Sequence, residues 1–97
     1  MSINVMLEFQ CREDKIEAFK SVLEVALVDT RNYDGCVSVQ VTVNQEAPLN
    51  LIFLEVWESR EHNEKYLAWR TDTGLFETLS DMLSSPPTIR YFENLNI

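Results

Sequence analysis

The chain is short of the residues that most chemistries require. It has two glycines, three prolines, two cysteines and a single histidine in 97 residues. Two isolated glycines, Gly35 and Gly74, cannot form a glycine-rich phosphate cradle, and neither GxGxxG nor GxxxxGK[ST] occurs, so flavin, nicotinamide and other nucleotide cofactors find no recognisable seat. One histidine, His62, cannot make the imidazole cluster of a zinc or iron centre. Cys11 and Cys36 lie 25 apart outside any CxxC, which predicts two reduced, largely buried thiols and no disulfide framework. The expectation is no bound cofactor and no metal.

Positive charge is also scarce. Eight Lys and Arg face sixteen Asp and Glu, a formal net charge of −8. That sign is wrong for a phosphate backbone or an anionic lipid surface, so nucleic acid and membrane are excluded as partners. The first residues lack a basic segment followed by a long apolar one, and no apolar run approaches the ~20 residues that span a bilayer. A cytoplasmic location is expected.

What is present is a globular pattern, 45% apolar and 10% aromatic, of a length that folds as one domain over residues 1–97. Positions 3–11 alternate Ile3, Val5, Leu7, Phe9 and Cys11 against polar neighbours, the period of a strand. From Glu13 to about Arg31 the period becomes helical, with Ile16, Phe19, Leu23, Ala26 and Leu27 on one face. Asp34-Gly35 makes a turn, and Val37, Val39, Val41 and Val43 then alternate as a second strand whose valines are expected inward. After a loop at 45–48, residues 49–57 are apolar at odd and even positions alike, a strand covered on both faces. Ser59 is a candidate N-cap for a helix reaching Trp69, a further helix carries Leu75, Phe76 and Leu79, and residues 88–93 read as a last strand.

The order β-α-β-β-α(α)-β is that of an α+β, ferredoxin-like split β-α-β unit, with helices on one side of an antiparallel sheet. The other side is left bare, yet Met6, Phe53 and Phe92 are candidates to share it. A second copy packed face to face would cover it, which predicts a homodimer through the sheet faces.

On the second helix His62, Tyr66, Trp69 and Arg70 fall on one face, with Trp57 just ahead of the helix. His62 suits proton transfer at neutral pH. Tyr66 suits a hydrogen bond to a substrate oxygen, Arg70 the stabilisation of a phenolate, and the two tryptophans stacking on a flat ring. Each also has a structural reading, as packing, helix C-terminal charge or solvated surface. Glu8 and Glu55 are the acidic residues on strands; which faces the interior depends on a register that alternation leaves open, and Arg90 is a candidate ion-pair partner for either.

Gly35-Cys36 leading into a valine strand, the junction Leu54-Glu55-Val56-Trp57-Glu58-Ser59 and the helix behind it resemble the antibiotic biosynthesis monooxygenase superfamily, over about residues 3–93. The resemblance implies a dimeric α+β barrel with a pocket between sheet and helices. It further implies cofactor-free oxidation of a small aromatic polyphenol or quinol, with molecular oxygen as co-substrate, as in the quinol monooxygenases of that group. A ligand-binding or regulatory dimer of the same fold is the alternative. Many members carry histidine where this chain has Tyr66, and His62 lies one turn earlier. The haem-degrading branch has a later histidine that is missing from residues 74–80. Tyr66 and His62 are the candidate catalytic residues; Trp57, Trp69 and Arg70 are the candidate substrate-binding residues.

Overall fold

A computed structural model describes residues 2–97. Its elements are β1 (Ile3–Gln10), α1 (Ile16–Asn32), β2 (Cys36–Asn44), β3 (Ala47–Trp57), α2 (Arg60–Thr73), α3 (Leu75–Ser80) and β4 (Thr88–Phe92). The strands form one antiparallel sheet in the order β2-β3-β1-β4, the ferredoxin-like arrangement. No helix among the described residues is long and apolar enough to cross a membrane.

Register settles which residues face the helices. Opposite Ile3, Val5, Leu7 and Phe9 stand Trp57, Glu55, Phe53 and Leu51, so the odd residues of both central strands share one face. That face and the inner side of α1 make the core, in which Val5, Phe9, Phe19, Phe53 and Trp57 are at most 4% exposed. The hairpin before β3 is tighter than the four-residue loop expected, because Asn44 Oδ1 accepts the Glu46 N–H at 3.0 Å and closes a turn that lets β3 begin at Ala47.

Helix α1 has no side-chain cap and begins at Ile16, later than the Glu13 expected, because Lys15 at its N-terminus has no hydroxyl or carboxylate to accept the free N–H groups. Helix α2 starts where its cap dictates, with Ser59 Oγ accepting the His62 N–H at 3.1 Å. It runs one turn past Trp69 to Gly74, whose φ of +83° suits glycine and turns the chain into α3. Asn63 Oδ1 accepts from the Tyr91 hydroxyl at 2.7 Å and ties α2 to β4.

Two expectations about the sheet need correction. Only Val39 of the four β2 valines is buried; Val37, Val41 and Val43 are exposed. Val41 and Val43 do face the helix side, but β2 is an edge strand that α1 only partly covers, and an open groove of about 400 Å³ separates them from Leu23 and Leu27. Val37 sits at a bulge in the β2–β3 ladder. Phe53 is the second correction. It is in the core, and its neighbour Leu54 lies on the bare face with Met6, Ile52, Val56 and Phe92. Leu54 and Phe92 are 41% and 46% exposed there, unusually open for such residues on a sheet. Glu8 also lies on that face, 3.8 Å from Arg90.

Candidate active site

Between the sheet and the helices is an enclosed apolar cavity of about 30 Å³. Its floor includes Phe9, Phe53 and Glu55, its wall Thr30 and Tyr66, and its roof Phe76 of α3. That volume matches about one water, against roughly 150 Å³ for a cavity that takes a benzene ring. A space of that size excludes an aromatic ring, and α3, a six-residue helix following Gly74, forms part of its wall.

Glu55 is the unusual residue of the floor. It occupies a core position between Val5 on one neighbouring strand and Val39 on the other, and is 5% exposed. Burial pushes its carboxyl above the ordinary carboxylate range, because removing water penalises the anion; a hydrogen bond from Trp57 Nε1 to Oε1 at 2.8 Å partly opposes this. A buried carboxyl whose pKa is raised is a candidate proton acceptor.

Tyr66 faces the same cavity with its ring, and its hydroxyl is held from behind. Arg70 Nε donates to it at 2.8 Å, and Thr30 Oγ1 lies 2.6 Å away. Thr30 Oγ1 is also 3.2 Å from the Ala26 carbonyl, and either hydroxyl can donate in the Tyr66–Thr30 contact. Arg70 Nη2 completes the network with bonds to Ala26 O and Thr30 Oγ1. Burial raises the phenol above its usual value, while the bonds from Thr30 and Arg70 and the Arg70 charge pull it down. Arg70 is buried without a carboxylate in ion-pair range among the described residues, so its charge is available to an anion formed nearby.

The helical face expected to carry the chemistry is thus divided. Tyr66 lines the cavity, whereas His62, Trp57, Trp69 and Arg70 do not. Trp57 is fully buried beneath Tyr66, at a ring separation of 5.1 Å, and the faces of Trp69 are taken by Tyr33 at 5.3 Å and the Arg70 guanidinium at 4.5 Å. Neither indole offers a free face to a substrate. His62 points away, toward the turn before β2, with Nδ1 2.6 Å from Ser59 Oγ and Nε2 3.9 Å from Asp34. An imidazole on the first turn of α2 lies beyond the sheet edge, so helical periodicity alone misplaces it. Glu55 is the residue that motif reading underrated. Its signal is a carboxylate in an otherwise apolar alternation, Leu51, Phe53, Glu55, Trp57.

Residues 2–72 match the family model described as antibiotic biosynthesis monooxygenase. The fold is similar to that of a conserved protein from Methanosarcina mazei, with a TM-score of 0.90, 21% identity and coverage of 98% of this chain and 94% of that one. It is also similar to a structure named antibiotic biosynthesis monooxygenase, at a TM-score of 0.87, 17% identity and 96% and 98% coverage. A protein from Mycobacterium tuberculosis gives a TM-score of 0.76 at 22% identity, covering 100% and 98%. At these identities the likeness is one of fold. No curated protein matches the sequence. With the family model spanning β1 through nearly all of α2, including Glu55 and Tyr66, the chain belongs to the antibiotic biosynthesis monooxygenase family.

Proposed function

We propose that the protein is a cofactor-independent monooxygenase acting on a small aromatic polyphenol or quinol, with Glu55 as general base. The observation that carries this reading is a buried carboxylate facing a tyrosine across an apolar cavity between sheet and helices. Glu55 takes the phenolic proton. The resulting anion reduces O2 and combines with it at a ring carbon. The peroxide then loses water, leaving one oxygen atom on the oxidised ring and the other in that water, so the substrate supplies all four electrons. Tyr66, held by Arg70, donates its O–H to the substrate oxygen and steadies the anion. Entry requires α3 to move between Gly74 and the Met82–Ser84 segment, which stays tied to β1 by the Arg12 N–H to Met82 O and Ser84 N–H to Gln10 O bonds.

Oxygen uptake with freshly reduced quinols and anthrones tests this reading. Uptake above autoxidation is expected, falling at least tenfold, about 1.4 kcal/mol of transition-state stabilisation, in Tyr66→Phe. The other reading is a ligand-binding module of the same fold without catalysis. Uptake equal to autoxidation, together with saturable quinol binding, would establish that module instead.

We further propose that the bare sheet face, with Leu54 at its centre, pairs with the same face of a second copy. Leu54, Phe92, Ile52, Val56 and Met6 together make an apolar surface of the kind that an isolated domain seldom leaves open. Sedimentation is expected to give twice the 11.3 kDa chain mass for the wild type and the chain mass for Leu54→Glu. A monomeric wild type would refute the pairing.

A further inference from the structure

The one histidine of the chain belongs to a cluster that the cavity chemistry does not use. Asp34 in the turn after α1, Glu58 just beyond β3 and His62 on the first turn of α2 bring one ligand atom each to within 4.8 Å of one another. The three segments are joined around that point, with the Glu58 N–H donating to Gly35 O at 2.8 Å. We propose that Asp34, Glu58 and His62 bind a divalent cation of the zinc class, in a surface site separate from the cavity.

Donor chemistry comes first. An imidazole nitrogen with two carboxylates is a borderline N/O set, which favours Zn²⁺ or Co²⁺ over Mg²⁺ and Ca²⁺, whose sites are built from oxygen. Three protein ligands with open positions left for water is a familiar count for zinc. Geometry agrees. His62 Nε2 and Asp34 Oδ2 are 3.9 Å apart, within twice the length of a metal–ligand bond, about 2.0–2.2 Å, whereas the three atoms together span up to 4.8 Å, so the exposed Glu58 side chain must swing in to complete the set. No hydrogen bond links these two atoms, and a cation bridging them would take the place of an imidazole proton.

The imidazole is also the least mobile of the three. Its Nδ1 is 2.6 Å from Ser59 Oγ, a second-nitrogen contact of the kind that orients a metal-ligating histidine and leaves Nε2 free when Nδ1 carries the proton. The ring is packed against Gly35, where a Cβ would come within 2.4 Å of it, and the φ of +89° there disfavours any side chain independently. Asp34 and Glu58 are exposed and free to close on an ion without disturbing the core. Two carboxylates beside one neutral imidazole carry two negative charges, and the net charge of −8 draws cations toward them.

The test is titration of the untagged protein with ZnCl₂, by calorimetry and by long-range ¹H–¹⁵N correlation of the imidazole, whose signals need no assignment because there is one histidine. One equivalent of zinc is expected to saturate the heat and to move the Nε2 resonance far more than Nδ1, while Mg²⁺ at the same concentration moves neither. Asp34→Asn and Glu58→Gln are each expected to weaken binding at least about tenfold. Both alter exposed residues, and metal-free melting curves matching the wild type verify that they fold. A silent imidazole overturns the proposal, because zinc would then be on Cys36 or nowhere. Unchanged affinity in both carboxylate variants overturns it equally, because binding would then be adventitious adsorption to an acidic surface. This site stands or falls independently of the oxygenase reading.

Discussion

Replacing Glu55 by glutamine is expected to reduce oxygen uptake by about 10²- to 10⁴-fold, the usual worth of a positioned general base, while making the protein more stable at neutral pH. The opposite signs have one origin. Burial raises the carboxyl in the folded protein, so its ionisation opposes folding. The stabilising effect of its proton is fully present below the unfolded value of about 4.3 and is lost as pH rises through the higher folded value. At pH 7 to 8 the ionised carboxylate is a cost, which glutamine removes while Oε1 still accepts from Trp57 Nε1. Denaturant unfolding at pH 7.5 should show a gain on the order of 1 kcal/mol, the low end for relieving a buried polar group that lacks its full complement of partners. At pH 4 the gain should vanish. The acid limb of kcat/KM in the wild type should fall with an apparent pKa above the ordinary carboxylate range. A Glu55→Gln protein that keeps its activity would remove Glu55 as base, and one that gains stability equally at both pH values would remove its titration as the cause.

Trp57→Ala is expected to be the most damaging single truncation of the core, at about 3–5 kcal/mol. Trp57 is fully buried at the end of β3, packs on Tyr66 at 5.1 Å and on Tyr33 at 6.4 Å, and gives Glu55 its indole hydrogen bond. Truncation leaves a void under the wall of the cavity and a buried carboxyl without its donor. For a domain of this size the loss corresponds to a fall in Tm of about 15 °C or more. Trp57→Phe should lose less, because most of the ring contact survives, but it still deprives Glu55 of its donor and so should move the acid limb of the pH profile upward. A small stability change in Trp57→Ala would mean that the cluster of Tyr33, Tyr66 and Trp69 closes over the gap.

Much of this was legible in the sequence, and the illegible part has a physical reason. Alternation placed β1, and the Ser59 cap placed the start of α2, within a residue or two, because each pattern has one satisfactory solution. Residues 49–57 are apolar on both faces, so alternation left two registers, and a slip by one exchanges Phe53 with Leu54. Glu55 went with that ambiguity. Only pairing with β1 and β2 decides that it faces the helices, where it acquires its chemistry. On α2 the error was different. His62, Tyr66, Trp69 and Arg70 do share a side, but a helix crossing a sheet edge meets the core at some turns and a loop at others. Tyr66 meets the cavity, His62 meets Gly35, and Trp69 and Arg70 meet Tyr33 and α1.

The closed roof over the cavity alters what governs the speed of the proposed enzyme. A pocket of about 30 Å³ is too small for a quinol, so in the proposed mechanism capture waits for α3 to move. Association is then a gated process, slower than collision and set by how often the roof opens. Once it shuts, the same roof keeps bulk water from the anion and the peroxide, so the slow entrance and the clean oxidation are two results of one small helix.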